Sequence, residues 1–327
     1  MLFFDGIALI LLAALAIDAV VGDPDFVWRR VPHPVVPIGR LIAALDRRLN
    51  AEQASAETKQ ANGVFAIAVV TGLAVIAGLV LATVSRALPF GWMIEVVIAA
   101  IFIAQNSLYR HVADVAAALE TGGLDAGRSA VARIVGRDPA TLDEAGVSRA
   151  AIETLAENFS DGVVAPAFWF LVAGLPGLIA YKSINTADSM IGYRTERHRD
   201  FGWAAARLDD VVNIVPARIS GLLIAIASGV ARAAPADALR IMLRDARLHA
   251  SPNAGWPEAA MAAATGLALA GPRVYGGAKT TDPFLHDEGR RDAGPADIRV
   301  ALRVFLAAAA LHVLVVAAVW AVAGLAG

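Results

Sequence analysis

The sequence predicts an all-α fold, a polytopic integral membrane helical protein with broken or re-entrant helices and cytoplasmic helical elaborations. Three observations carry that expectation. Of 327 residues, 57% are hydrophobic and only 18% charged, and the mean hydropathy is +0.60, which is too apolar for a water-soluble chain of this length. Several uninterrupted apolar stretches are long enough to cross about 30 Å of hydrocarbon at about 1.5 Å per residue. The Lys and Arg residues gather in the intervening segments, as they do in cytoplasmic loops.

Taken in order, residues 2–22 (LFFDGIALILLAALAIDAVVG) form the first candidate span. Asp5 is the only early charge and the apolar core exceeds a secretory h-region, so this stretch reads as an uncleaved span rather than a signal peptide. Residues 64–84, 92–108 and 304–326 are further full spans, the last interrupted only by His312, which reads as a packed interhelical residue. Two apolar stretches, 162–181 and 214–230, contain Pro166, Pro176, Pro216 and Arg218 and read as broken segments. Such breaks are tolerated at membrane depth where the backbone lines a protein cavity.

The basic residues decide the layout. Six lie in 23–63, one in 85–91, five in 109–160, five in 182–209, ten in 231–303 and none after 304. Six full spans would place 182–209 outside against this bias, whereas four full spans with two segments that turn back keep every basic loop cytoplasmic. Amphipathic helices are expected near 109–121 and 148–160, and a polar loop over 281–297. No repeat or linker divides the chain, so residues 1–327 read as a single membrane-embedded domain. The formal charge of −2 and the absence of cysteine give no general basic field for nucleic acid and exclude thiolate chemistry.

Chemistry-bearing residues crowd at the membrane boundaries. In AAIETLAENFSDG, Ile152, Leu155, Ala156 and Phe159 mark an inward helix face while Glu153, Glu157 and Asp161 repeat every fourth residue. Like charges at that spacing cost a few tenths of a kcal/mol per pair, which a bound cation removes; a solvated acidic face is the plain alternative. In YKSINTADSM, Lys182, Asn185, Thr186 and Ser189 share a face, Asp188 flanks it, and Ile184, Ala187 and Ile191 lie opposite. In ARLDDVVNIVPARIS, Asp209, Asp210 and Asn213 precede Arg218. Either carboxylates such as Asp210 with Glu157 or Asp188 hold a nucleotide's magnesium, or Asp209 and Asp210 are a helix N-terminal pair answering the dipole. Asp23 and His33, in GDPDF and VPHPV, read on their own as a turn residue and a surface histidine. YGGAKT at 275–280 lacks the spacing of a phosphate loop, and no GxSxG, HExxH or GxGxxG is present.

Together, GDPDFVWRRVPHPVVPIGRLI, VGRDPATLDEAGVSRAAIETLAENFSDGVVAPAFWF, YKSINTADSMIGYRTERHRDFGWAAARLDDVVNIVPARIS and SPNAGWPEAAMAAATGLALAGP resemble the integral-membrane CobD/CbiB family, the adenosylcobinamide-phosphate synthases of cobalamin biosynthesis. The resemblance runs from Gly22 to Pro272. It implies an ATP-dependent ligase that joins adenosylcobyric acid to (R)-1-amino-2-propanol phosphate, or a related amino alcohol phosphate, in an amide bond. It implies Mg²⁺ with ATP as co-substrate, no tightly bound prosthetic group, and a bacterial inner-membrane, multi-pass protein whose site faces the cytoplasm. The expected partners are the corrinoid, the amino alcohol phosphate, ATP and the lipid bilayer, but no nucleic acid; a homo-oligomer and a complex with other cobalamin-pathway membrane enzymes both stay open. Within the matching segments, Glu153, Glu157, Asp161 and Asp188 are assigned as catalytic groups and Glu157, Asp188, Asp209 and Asp210 as metal ligands. Asn158, Lys182, Asn185, Ser189, Arg194, Asn213, Arg218 and His33 are assigned to substrate. A membrane transporter or corrinoid-binding component, and a noncatalytic membrane sensor, are the alternatives from other classes.

Overall fold

The structure is a computed structural model that describes residues 2–136, 139–193, 195–272, 274–275, 278–279 and 281–325. Arg194 and the glycines of YGGAKT lie outside the described residues. In chain order the helices are α1 (Leu2–Val21), α2 (Asp25–Trp28), α3 (Val35–Leu49), α4 (Ala56–Ala87), α5 (Trp92–Phe102), α6 (Gln105–Val131) and α7 (Glu144–Phe159). A π-turn, Ser160–Val164, leads into α8 (Ala165–Ile191), followed by α9 (Trp203–Val212), α10 (Ile214–Ala227), α11 (Pro235–Asp245), α12 (Gly255–Thr265) and α13 (Pro295–Leu325). The only strands among the described residues are two-residue pieces: β1 (Leu269–Ala270) pairs antiparallel with β4 (Phe284–Leu285), and β2 (Val274–Tyr275) with β3 (Ala278–Lys279). The fold is all-α. Five helical stretches, Ala56–Ala87, Trp92–Val131, Glu144–Ile191, Ile214–Ala231 and Pro295–Leu325, are long and apolar enough to cross a membrane, and Gly6–Val21 is a shorter apolar helix.

The chain gathers into two compact units, one of residues 1–103, 165–213 and 317–327, the other of 104–164 and 214–316. In the first, α4 packs along α8 through a stripe of small or β-branched residues at every fourth position, Ala66, Val70, Ala74, Gly78 and Ala82. That spacing lets two backbones approach closely, the usual device where lipid supplies no hydrophobic drive between helices. Leu73, Ile76, Val80 and Val84, on the other side of α4, are exposed, as lipid-facing side chains are. The helix begins at Ser55, whose hydroxyl accepts the Thr58 N–H at 3.2 Å and so satisfies an orphan donor. A second core of this unit joins Ile42 of α3, Ile67 and Val70 of α4, Ala187 and Ile191 of α8, and Phe201. Ile184, Ala187 and Ile191 are thus buried, on the face opposite Lys182 and Asn185.

The interruption in α8 falls at Gly174, whose φ of 62° and ψ of −149° break the helix two residues before Pro176. Only glycine takes that conformation without strain. Pro166 follows closely on the π-turn and Pro216 lies in the first turn of α10; the carbonyls their missing N–H groups leave find other donors, Gly162 accepting the Ala104 N–H at 2.9 Å and Val212 the Trp169 Nε1–H at 3.0 Å, so helix continues past both prolines. The apolar stretch 92–108 is divided as well: α5 ends at Phe102, with Ile103 extended, before α6 begins at Gln105.

In the second unit α12 is the central helix, touching α7, α10 and α11. Its run Ala259 to Ala264 is almost completely buried. Around it Ile152, Leu155, Ala156 and Phe159 of α7 are fully buried, as the periodicity of AAIETLAENF predicts. The α7 N-terminus is capped by Asp143, whose carboxylate accepts the Gly146 N–H at 2.7 Å.

The tight α4–α8 contact yields a test. A Cβ added at Gly78 lies 2.4 Å from the Cα of Pro176, a backbone atom that cannot step aside. Gly78→Ala is expected to destabilise the detergent-solubilised protein by about 1–3 kcal/mol, read as a lower melting temperature. Gly72→Ala on the same helix, where a Cβ meets nothing within 4 Å, is expected to leave the melting temperature unchanged or raised.

Candidate functional site

In the first unit the polar residues of YKSINTADSM and LDDVVN form one connected cluster. Tyr181, fully buried, donates its hydroxyl to Asn213 Oδ1 at 3.0 Å. Asn213, also buried, donates Nδ2 to Asp209 Oδ2 at 3.0 Å, and Asn185 donates Nδ2 to the other oxygen of Asp209 at 3.4 Å. The four-residue spacings 181–185 and 209–213 put each pair on one helix face, and α8 and α9 present those faces to each other. Trp169 Nε1 donates to the Val212 carbonyl at 3.0 Å and fixes the end of α9.

Asp209 and Asp210 lie in the last turn of α9, not at a helix N-terminus, so the dipole of α9 opposes rather than favours their charge. Burial, and after it the neighbouring Asp188 charge, raise the Asp209 carboxyl to about 7, against the hydrogen bonds from Asn213 and Asn185. A paired carboxylate site held this far from its ordinary range is the arrangement a cation stabilises. Asp210 is held by Arg207 at 3.5 Å. Ser189 donates to the Asn185 carbonyl at 2.9 Å and Thr186 to the Lys182 carbonyl at 2.6 Å, so both hydroxyls serve the helix backbone. Among the described residues no three His, Asp or Glu side chains gather into a ready metal cage. Magnesium needs only one or two carboxylates completed by water and phosphate oxygens, and the all-oxygen pair Asp188 and Asp209 fits that requirement.

His33 belongs to the same unit. Its Nδ1 accepts the Val35 N–H at 3.2 Å, the ring bonds the backbone of Ile101, and it packs edge-on to Trp28 at 4.6 Å. Burial holds it below its ordinary pKa, with Asp23 opposing and Lys182 assisting. The ring is therefore a pin between the entry loop and α5, with Lys182 within electrostatic reach.

In the second unit Glu153 is buried and accepts the Ala270 N–H at 2.9 Å, tying α7 to β1. Glu157 and Asn158 are exposed. Asp161 lies inside the π-turn, off the α-helical register that a four-residue spacing assumes; such turns recur at functional sites. A cavity of about 200 Å³ opens beside the turn, lined by Asn158, Thr154, Gly162, Ser107 and His111. Arg218 stands over the Trp256 ring at 4.5 Å and donates to the Ile214 carbonyl at 2.7 Å and Asn253 Oδ1 at 3.1 Å. Nearby, His249 Nδ1 accepts the Ser251 N–H at 3.0 Å, which leaves the proton on Nε2, 3.7 Å from Glu258 Oε1.

Residue patterns alone missed Tyr181, His111, Asn253, Trp256, His249 and Glu258. Asn253, Trp256 and Glu258 stand in SPNAGWPEA, where a polar residue directly after each of two prolines, Asn253 and Glu258, was the available signal.

These helices define a multi-pass membrane protein, and its buried polar clusters are its candidate sites. The chain belongs to the CobD/Cbib protein family, whose profile matches residues 11–305. It is 54% identical over 305 residues to a "Cobalamin biosynthesis protein CobD" from Sinorhizobium sp, covering 92% of this chain and 94% of that protein. It is 53% identical over 300 residues to the protein of that name from Brucella suis, 91% and 92% of the two chains. The Rhodobacter capsulatus protein of that name is 47% identical over 321 residues, 96% and 99% of the two. No solved structure matches the chain.

The electrostatics of Asp209 give a pH prediction. A carboxyl whose folded pKa is about 7, above its ordinary value of 3.8, takes up protons preferentially in the folded state. Its contribution is most favourable below about pH 4 and is lost as pH rises through about 7. The melting temperature in detergent is expected to fall across that window, and Asp209→Asn to flatten the fall. Magnesium is expected to restore stability above pH 7 more than at pH 5; a profile indifferent to Asp209→Asn rejects the assignment.

Proposed function

We propose that this member of a cobalamin-biosynthesis family is an adenosylcobinamide-phosphate synthase, an ATP-dependent acid–amine ligase. The observation that carries the reading is a coincidence of two facts: the chain matches the family over residues 11–305, and the buried Tyr181–Asn213–Asp209–Asn185 cluster falls inside that match.

The reaction joins a propionate of adenosylcobyric acid to the amine of an amino alcohol phosphate. A carboxylate oxygen of the corrinoid attacks the γ-phosphorus of ATP, ADP leaves, and an acyl phosphate forms. The amine nitrogen attacks the acyl carbon, phosphate departs with the C–O electron pair, and the nitrogen's proton passes to a carboxylate base. Magnesium, when bound, supplies charge neutralisation and Lewis-acid polarisation of phosphoryl oxygens. In the first unit Asp188 and Asp209 would hold that ion, with Asp210 beside them, Asn185 and Asn213 fixing the carboxylate of Asp209 and Lys182 offering a cation to phosphate. In the second unit Glu157, an exposed carboxylate, is proposed as base. Arg218 there is held flat by Trp256 and aimed by Asn253, a geometry suited to an anionic substrate group. His33 in the first unit and Glu153 in the second, each bonded to backbone, are proposed as positioning residues within their own units.

Purified protein given adenosylcobyric acid, amino-propanol phosphate, Mg²⁺ and ATP is expected to form the amide, read by mass spectrometry. Equal product without ATP rejects the ligase reading and leaves a carrier or sensor. Asp188→Asn and Glu157→Gln are each expected to lower turnover by about a hundredfold or more while insertion is normal, as for groups that hold transition-state charge.

The site is proposed to face the cytoplasm. Thr195 and Ala236 are both exposed, and the chain has no cysteine. Single cysteines at these two positions are expected to resist an impermeant thiol reagent on intact cells and to react once the membrane is opened. Labelling of the Thr195 position from outside overturns the orientation.

A further inference from the structure

Apart from the polar clusters, the first unit holds a cavity of about 550 Å³ at the turn between α4 and α5. Ile7, Ile10, Leu79 and Leu175 give it an apolar wall, and two side chains of opposite charge, Arg86 and Glu95, also line it. We propose that this cavity binds a zwitterionic aminophospholipid, with Glu95 receiving the primary ammonium, Arg86 the phosphate, and the apolar wall the start of the acyl chains.

The chemistry of Glu95 points to a cation with N–H donors. It lies one turn inside α5, 9% exposed, in a stretch long and apolar enough to span the bilayer, where a carboxylate is costly without a partner. Its Oε1 is 2.8 Å from the Ser85 hydroxyl, which is also 2.8 Å from the Gly91 carbonyl. The Gly91 carbonyl also accepts the Ile94 N–H at 2.9 Å, so the hydroxyl proton can serve Glu95, and a carboxylate with about four acceptor sites has room for further donors beside it. An ammonium brings three.

The backbone supports the same occupant. The break in α8 lines this cavity through Ala173, Gly174, Leu175 and Pro176. Because Pro176 has no N–H, the Val172 carbonyl loses its helical donor, and irregular backbone at membrane depth is sustained where it borders a cavity with polar content. At the rim Phe90 and Trp92 are largely exposed, as aromatic side chains are at the headgroup level. The segment 85–91 carries a single basic residue, which the proposed layout sets on the outer face, away from soluble cytoplasmic amines; a membrane lipid is the available source of both charges on one molecule.

Delipidated protein in detergent, titrated with phosphatidylethanolamine, phosphatidylcholine and phosphatidylglycerol of matched chains and read by native mass spectrometry, tests this. Phosphatidylethanolamine is expected to be retained about fivefold or more over the other two, the factor that a single net hydrogen bond of about 1 kcal/mol provides. Glu95→Gln is expected to erase the preference, Arg86→Gln to lower retention of all three lipids alike, and soluble O-phosphoethanolamine at equal concentration is expected not to displace the lipid. Equal retention of all three lipids, preference for phosphatidylglycerol, or displacement by the soluble headgroup overturns the proposal, as does an unchanged preference in folded Glu95→Gln. Should Glu95→Gln not fold, Leu79→Trp fills the cavity from an exposed position without touching Ser85; retained preference there overturns it equally. The proposal does not depend on the ligase reading, and its failure leaves that reading intact.

Discussion

Inside hydrocarbon a peptide group can bond only to its own helix or to another part of the protein, and this constraint governs the rest of the structure. It explains why the long apolar stretches are helical throughout. It also explains why the departures are local: Gly174 in α8, the π-turn at Ser160–Val164, the extended Ile103 between α5 and α6, and Gly123 within α6, whose φ of 70° and ψ of −162° are not helical. The first two coincide with a lined cavity, of about 550 Å³ and about 200 Å³ respectively. Where a chain cannot hide an unbonded carbonyl in water, its irregular backbone lies beside a cavity with polar lining.

The same constraint shapes the polar cluster of the first unit. Asp209 is tolerated in a buried position because Asn185 and Asn213 supply its two donors and Tyr181 satisfies the amide oxygen of Asn213 in turn. Each member is held by the next, so the carboxylate is aimed before any ligand arrives. The charge of Asp188 beside it opposes ionisation of Asp209. That residual repulsion makes the pair responsive to protons and to cations, and it is a property of the ensemble rather than of either residue.

Helical periodicity is a local signal, and what it determines was legible in the sequence. The buried faces Ile152/Leu155/Ala156/Phe159 and Ile184/Ala187/Ile191 follow directly from spacing, as does the helical class. Proline was a poorer guide: Pro166 and Pro216 are accommodated because Ala104 and Trp169 supply donors to the carbonyls they leave, and the break within α8 depends on a glycine conformation that spacing does not reveal. The position of Asp209 and Asp210 at the end of α9 turned on a helix start, Trp203, set by tertiary packing of Phe201 and Ala205 in the α3–α4–α8 core. The bonds Tyr181–Asn213 and Arg218–Asn253 join residues 32 and 35 positions apart, and no periodicity reports such pairings. Candidate residues could be named from their chemistry; which backbone or side chain each one engages could not.

Helix α12 carries a consequence for how such a chain changes over generations. Its alanines from Ala259 to Ala264 meet neighbouring helices on every side with almost no exposed surface, so there is no slack into which one added methylene can go. An enlargement there becomes acceptable only together with a reduction on a facing helix. The centre of this unit therefore drifts by paired exchanges, while the lipid-facing side of α4, where Leu73, Ile76 and Val80 are exposed, accumulates single replacements independently.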